Sequence, residues 1–239
     1  MARLRVAGVT PRSRRRTALA KALGILGVHN LVQNTVLNET GYVAGNLAMS
    51  VTLVGIARSS GASWDEMGLG RPDVATSSKI GSIAVSLGAL GTIAAVAHPR
   101  TRALLSENRT PTTGSAQLVR RALIRFPLGT ALFEEVAFRG VLPALTDRGN
   151  WQADAMSAAV FAVWHIIPTA RAQASGADTS RRNRTLGIAI GSTAAGVAGL
   201  GLSWLRRRTG GLLAPWMVHA SVNSIAFLAG AALRRRSAA

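Results

Sequence analysis

Long apolar segments separated by clusters of arginine run through most of the chain of 239 residues. Hydrophobic residues make up 48% of the sequence, and they gather in blocks close to the roughly 20 residues that an α-helix needs to cross a bilayer. These blocks cover residues 18–37, 41–57, 80–97, 122–145, 153–170, 186–205 and 212–233. The sequence therefore predicts an all-α fold, a polytopic membrane helical bundle of about seven transmembrane helices.

The chain is strongly basic, with a formal net charge of +18 at pH 7. Such a charge can indicate nucleic-acid binding, but the arginine runs at 12–16, 206–208 and 234–236 flank apolar blocks, and no nucleic-acid motif accompanies them. Arginines in that position contact anionic lipid head groups. We therefore expect membrane lipids and no nucleic acid as partners. The basic N-terminus predicts that this end faces the cytoplasm.

The fourth apolar block carries three ionisable residues in its interior. A charge at that depth is unfavourable unless it has a partner or a water-filled cavity. Glu135 and Arg139 are four residues apart, so in a helix they share a face and can form an ion pair. Glu134 lies about 100° around the helix from Glu135, with no cation placed beside it. This pattern indicates Glu134 as a working carboxylate supported by the pair, and the alternative is that all three form a buried polar lock between helices.

Two histidines and an asparagine lie deep in the fifth and seventh blocks. His165 and Glu134 each lie about 18 Å into their segments, and His219 lies about 12 Å into its own. Asn223 follows one turn deeper, on the same face as His219. A carboxylate beside an imidazole can deprotonate water, and a histidine with an asparagine can donate hydrogen bonds to an oxyanion. These are the parts of an amide hydrolase, although two histidines and a glutamate could instead bind a divalent metal.

Other hydrolase designs lack their residues in this sequence. The chain has no cysteine, which excludes a cysteine nucleophile, a thiolate metal site and disulfide bonds. It contains no His-Glu-x-x-His zinc motif, no Gly-x-Ser-x-Gly turn and no pair of aspartates inside the apolar blocks. Pro168 follows His165 and Pro215 precedes His219, and each proline removes a backbone donor and can open its helix locally.

Two helix faces are predicted to pack against neighbouring helices. The first block has asparagine at every fourth position, and the sixth has small residues at the same spacing. The asparagines favour interhelical hydrogen bonds over contact with a substrate, and the small residues favour close helix contact. The residues concerned are Asn30, Asn34 and Asn38, and Gly187, Gly191, Ala195 and Gly199.

Three short motifs in these blocks resemble those of a known family. They are Glu134-Glu135-x-x-x-Arg139, Phe161-x-x-x-His165 and His219-x-x-x-Asn223. They are similar to the motifs of the CPBP family, the CaaX-protease and bacteriocin-processing intramembrane proteases, also called Abi proteins. The resemblance covers residues 115–233, in the order that the family uses.

The resemblance implies an all-helical membrane fold with a polar cavity that opens to one side. By this analogy Glu134 and His165 activate water. His219 and Asn223 stabilise the oxyanion, and Glu135 and Arg139 support the catalytic residues. The family is often described as metalloproteases, and a metal-free glutamate mechanism is also argued for it. The cofactor therefore stays open between a divalent metal such as zinc and none, and we favour the metal-free mechanism.

The same reasoning predicts how the chain is divided and where it is found. We expect a basic N-terminal tail at 1–17, N-terminal transmembrane helices and loops at 18–114, a CPBP-like catalytic core at 115–233 and a basic C-terminal tail at 234–239. The composition is rich in arginine and alanine, which is typical of a bacterial protein. We therefore expect a multi-pass protein of the bacterial plasma membrane.

Three functions are compatible with these residues. The first is an intramembrane endopeptidase that hydrolyses a membrane-associated peptide or protein. The second is a catalytically silent scaffold or bacteriocin-immunity-type protein of the same fold, and the third is a small-solute transporter with a proton relay. The complete motif set favours the peptidase over the scaffold, and no inverted repeat supports the transporter.

Overall fold

The computed structural model describes residues 10–71, 73–99, 114–146, 150–174 and 180–237, which fold into helices joined by turns, with no strand among them. The helices are α1 (Pro11–Thr35), α2 (Glu39–Ser59), α3 (Val74–Ala97), α4, α5 (Asn150–Trp164), α6 (Ile166–Ala174), α7 (Arg181–Thr209) and α8 (Leu213–Ser237). Helix α4 is composite and consists of Ser115–Arg120, two π-helical stretches at Arg121–Leu132 and Glu135–Val141, and Leu142–Ala144. The predicted all-α fold is confirmed.

Among the residues that the structure describes, five helical segments are long and apolar enough to cross a membrane. They are Glu39–Ser59, Val74–Ala94, Trp151–Ala174, Arg181–Thr209 and Leu213–Leu233, and they coincide with five of the predicted blocks. The remaining two blocks are helical as well, but α1 begins with basic residues and α4 carries the buried charges, so both are less apolar. The predicted number of seven is therefore approximate.

The predicted terminal tails lie partly outside the described residues. Residues 1–9 and 238–239 are among those that the structure does not describe. The rest of the segment predicted as a tail at 1–17 overlaps α1, which begins at Pro11. The backbone N–H of Ser13 donates to Thr10 Oγ1 at 3.2 Å, which caps this helix.

Helix α4 lies at the centre of the bundle. Every residue from Phe133 to Leu142 is buried, and α2, α5, α7 and α8 all pack against this helix. Pro127 removes a backbone donor inside the first π-helical stretch. A Cβ atom at Gly129 would lie 3.0 Å from Val43 Cγ2, so the absence of a side chain lets α2 approach closely. π-helical turns are rare and frequently occur at functional sites, which directs attention to the charges on α4.

The turn between α2 and α3 connects α1 to this centre. Arg15 Nη1 lies 2.7 Å from Glu66 Oε1, and the next residue, Met67, is fully buried. A Cβ at Gly140 of α4 would lie 2.9 Å from the carbonyl oxygen of Met67, so this turn rests directly on α4. This turn is therefore packed against the core, and Trp64, at 48% exposure, is its outer part.

The Arg15–Glu66 pair gives a prediction about acid stability. Burial alone would raise the pKa of Glu66, but hydrogen bonds from Arg15 and Ser63 outweigh it and hold that pKa below its ordinary value. A carboxylate with a lowered folded-state pKa stabilises the fold above its unfolded-state pKa and loses that contribution as pH falls through the folded-state pKa. We expect Glu66→Gln to lower the free energy of unfolding near neutral pH by at most about 1 kcal/mol, because the pair is partly exposed.

Thermal unfolding in detergent, compared for wild type and Glu66→Gln, checks this expectation. The difference between the two proteins should shrink as the pH is lowered from neutral through the lowered folded-state pKa of Glu66, where the wild-type carboxylate becomes protonated too. A difference that stays constant over this range would contradict the assigned role of the ionised carboxylate.

Candidate active site

Glu134 is buried at the junction of the two π-helical stretches of α4, with 4% of its surface exposed. Its two carboxylate oxygens have different surroundings. Oε1 accepts a hydrogen bond from the indole Nε1–H of Trp164 at 3.0 Å. Oε2 accepts no hydrogen bond from the described residues and lies 3.5 Å from His219 Nε2. One oxygen is therefore fixed in place, and the other faces an imidazole.

Glu135 and Arg139 form the ion pair that their spacing predicts. Arg139 Nη1 lies 3.1 Å from Glu135 Oε1, with the two side chains 1% and 0% exposed. The guanidinium carbon of Arg139 also lies 4.1 Å from the ring centroid of Phe161, a cation–π contact with α5. A Cβ at Gly199 of α7 would lie 3.0 Å from Arg139 Nη2, so the predicted small-residue face makes room for this guanidinium.

His219 lies between the two glutamates. Its Nδ1 is 2.7 Å from Glu135 Oε1, and its Nε2 faces Glu134 Oε2. A carboxylate oxygen beside Nδ1 favours a hydrogen on that nitrogen, so Nε2 has the lone pair in a neutral ring and becomes a donor towards Glu134 only when the ring is protonated at both nitrogens. Glu135 thus accepts from Arg139 and from His219 at the same oxygen, and it fixes the orientation of the imidazole.

His165 lies where α5 ends and α6 begins. Its Nδ1 is 2.9 Å from the carbonyl oxygen of Phe161, and its ring packs edge-on against that phenyl ring with centroids 4.3 Å apart. Because a carbonyl oxygen only accepts hydrogen bonds, Nδ1 carries the hydrogen in this contact. The neutral ring then has its free lone pair on Nε2, which can act as a base or a ligand.

A cavity of about 760 Å³ brings His165, His219 and Asn223 together. Its remaining walls are almost entirely apolar and come mainly from α3, α7 and α8. They include Ile80, Ile83, Leu87, Ala198, Leu202 and Val222. Glu134 approaches this space through its contact with His219. The cavity therefore has a polar end beside the buried carboxylates and an apolar body, a shape that suits a peptide with apolar side chains.

The structure places the predicted residues in one connected cluster and one shared cavity. Glu134, Glu135, Arg139 and His219 form one connected cluster, and His165 and Asn223 share the cavity with His219. The imidazole in contact with Glu134 is that of His219, whereas His165 contacts Phe161 through Nδ1 and its ring. The pairing of Glu134 with His165 therefore stays a prediction.

Three residues lie at the site although the sequence analysis did not predict them to be part of it. Trp164 binds Glu134, Asn30 of α1 donates from Nδ2 to the carbonyl oxygen of Trp164 at 3.0 Å, and the ring of His29 lies beside that of Trp164. The predicted interhelical role of Asn30 is confirmed by this bond, while Asn38 instead caps α2 by accepting from Gly41 N. For Trp164, the sequence offered one signal of a role at the site, which is that this residue immediately precedes His165.

The described residues contain no group of three or more His, Asp or Glu side chains that could hold a metal ion as arranged. Glu135 Oε1 is engaged by Arg139 and His219, and His165 Nδ1 by a backbone carbonyl. The preference for a metal-free mechanism therefore stays a prediction, and no step of the mechanism below is assigned to a metal ion.

Residues 117–225 match the family model described as type II CAAX prenyl endopeptidase Rce1-like. No curated protein and no solved structure matches the chain. The matched segment runs from α4 into α8 and contains all three motifs. Together with the five helices that can cross a membrane, the match supports a multi-pass membrane protein with a CaaX-type intramembrane endopeptidase fold. The resemblance to the CaaX-protease (CPBP) family that the motifs indicate is thus confirmed over residues 117–225.

Proposed function

We propose that this protein is an intramembrane endopeptidase that hydrolyses a peptide bond of a membrane-associated peptide or protein. The observation that carries the proposal is the contact of the buried Glu134 carboxylate with His219, beside a cavity that also contains His165 and Asn223. The family-model match supports the same class of reaction. A purely structural polar lock would not need two further polar side chains at an apolar cavity.

In the proposed reaction, Glu134 and His165 hold a water molecule and remove its proton while its oxygen attacks the substrate carbonyl carbon. The carbonyl oxygen becomes an oxyanion and accepts hydrogen bonds from Asn223 Nδ2–H and from His219 Nε2–H, the latter in the ring form that is protonated at both nitrogens. The proton then passes from the base to the leaving nitrogen, and the C–N bond breaks. The products are a carboxylic acid and an amine, and transfer of the acid's proton gives a carboxylate and an ammonium group. Glu135 keeps His219 oriented through its contact with Nδ1.

The apolar walls of the cavity support a substrate that lies in the bilayer. Side chains from α3 and α7 form most of these walls, and none of the six wall residues named above is charged. A peptide segment that leaves lipid for this cavity keeps an apolar environment around its side chains, while its backbone reaches the polar end. We further propose that the protein acts in the bacterial plasma membrane.

The proposal is tested by comparing membrane peptides from cells that contain wild-type protein with those from cells that contain Glu134→Ala, at matched expression. Mass spectrometry should find new peptide termini that occur only with the wild type. Identical sets of termini would contradict the peptidase proposal and would favour the silent scaffold instead.

The proposed mechanism also predicts the outcome of metal analysis. Because Glu134 and His165 supply the base, and His219 and Asn223 the oxyanion donors, we expect purified active protein to contain far less than one zinc per chain and to stay active after chelation. Elemental analysis and an activity assay with and without a chelator provide the measurement. Stoichiometric zinc, with activity lost on chelation and restored by the metal, would overturn the metal-free mechanism.

A further inference from the structure

The helix that carries His165 has a carbonyl oxygen that its own backbone cannot satisfy. In an α-helix the oxygen of Trp164 would accept from the N–H of residue 168, but that residue is proline and has no N–H. The neighbouring bond is regular, because Thr169 N donates to the oxygen of His165 at 3.0 Å. Instead, Asn30 Nδ2 of α1 donates a hydrogen bond to the carbonyl oxygen of Trp164, and Asn30 is 6% exposed.

The side chain of Trp164 is fixed on several sides. Its indole is 4% exposed and packs against Phe133 and Phe138, with both ring centroids 5.5 Å away. The ring of His29 lies nearly parallel to it at 6.5 Å. The single polar atom of the indole, Nε1, points at Glu134 Oε1. Since the ring is held by its neighbours, its N–H fixes the direction of the Glu134 carboxylate.

We propose that Trp164 is a positioning residue for Glu134 and that Asn30 holds Trp164 in place. The role rests on the proposed function, because it concerns the carboxylate that activates water. Indole Nε1–H can only donate, so it binds Oε1 and turns Oε2 towards His219 and the cavity. Asn30 lies outside the segment that matches the family model, so α1 contributes to the site from the N-terminal part of the chain.

The kinetic consequence should be a lower rate of chemistry with unchanged substrate binding. Trp164 is not among the residues that line the cavity. Trp164→Phe keeps an aromatic ring and removes the donor, and we expect kcat to fall roughly 10- to 100-fold while KM stays within about twofold. Trp151→Phe, on the same helix with Trp151 70% exposed, is the matched control and should behave as wild type.

Asn30 is tested by a pair of variants of similar size. Asn30→Leu removes the donor to Trp164, and we expect a loss of kcat comparable to that of Trp164→Phe. Asn30→Gln keeps an amide donor and should recover part of the lost rate. A role in packing alone would give the opposite order, because leucine suits an apolar helix interface better than glutamine.

A spectroscopic measurement tests the contact without any substrate. The chain has five tryptophans, so ¹⁵N-labelled protein in detergent micelles should give five indole N–H resonances, with that of Trp164 identified by its loss in Trp164→Phe. This resonance should move in Glu134→Gln and in Asn30→Leu, while that of Trp151 stays in place. An unmoved Trp164 resonance would overturn the proposal.

The two measurements separate the inference from the proposed function. Absence of hydrolysis by the wild type itself would reject the peptidase function, whatever the resonance does. Hydrolysis by the wild type, with full activity in Trp164→Phe, would leave the peptidase function standing and overturn the positioning role. If Trp164→Phe does not fold, the other four indole resonances are assigned with Phe variants of the other four tryptophans, and the one that remains, that of Trp164, still decides in Glu134→Gln and Asn30→Leu whether the contact exists.

Discussion

Glu134→Gln should remove nearly all hydrolysis while leaving the protein folded. The amide of glutamine has almost the shape of the carboxylate, and its oxygen can still accept the hydrogen bond from Trp164. It cannot take a proton from water. Loss of general base catalysis alone typically reduces the rate by about 10²–10⁴-fold, and residues that act as a unit often lose more.

The other proposed residues should lose activity to different degrees. His165→Ala removes the second partner of the water molecule, so its loss should approach that of Glu134→Gln. Asn223→Ala removes one oxyanion donor, which is worth roughly 10²–10³ in rate. His219→Ala should be inactive and also less stable, because Glu135 loses a 2.7 Å contact and Glu134 its facing imidazole.

The measurement is cleavage of a membrane-embedded reporter in liposomes, with each variant reconstituted at the same protein-to-lipid ratio. Folding is checked by gel filtration and thermal unfolding before activity is compared. If Glu134→Gln cleaves as fast as wild type, the hydrolase function fails and the scaffold hypothesis takes its place. The exposed Trp151→Phe variant shows whether substitution by itself affects reconstitution.

Local spacing predicted the parts of the site that lie on one helix. The four-residue interval between Glu135 and Arg139 was sufficient for the ion pair, and the every-fourth small residues of α7 were sufficient for close contact. The apolar blocks predicted the helices because burial of the backbone in lipid requires helical hydrogen bonding. Features that depend on the geometry of a single helix can be predicted from the sequence of that helix.

Contacts between helices could not be read in this way. His219 is 84 residues from Glu135, and only the packing of α8 on α4 decides that its ring lies between two carboxylates. In the sequence, Trp164 cannot be distinguished from the other apolar residues of its helix. Its role depends on a single indole N–H, which donates to Glu134 only in the folded protein. The π-helical turns of α4 also change which residues face each neighbour, and a pattern based on 3.6 residues per turn does not predict that.

Arg139→Ala should be the most destabilising single substitution at the site. It leaves the fully buried carboxylate of Glu135 without its cation, and removal of one partner of a buried ion pair typically costs about 3–5 kcal/mol. The cation–π contact with Phe161 is lost as well. His219 Nδ1 still contacts Glu135 Oε1 in this variant. We therefore expect the free energy of unfolding to fall by about 3 kcal/mol, near the lower end of that range.

Three comparisons separate the loss of this ion pair from other effects of the substitution. Arg14→Ala removes an exposed arginine of α1 and should unfold at nearly the wild-type temperature, as should Glu134→Gln, which keeps the pair intact. The double variant Glu135→Gln/Arg139→Met removes both charges and should be more stable than Arg139→Ala, because no buried charge is left unpaired. Thermal unfolding in one detergent measures all of them. Equal stability of Arg139→Ala and wild type would show that the pair does not support the fold, and Glu135 would then have to be held by His219 alone.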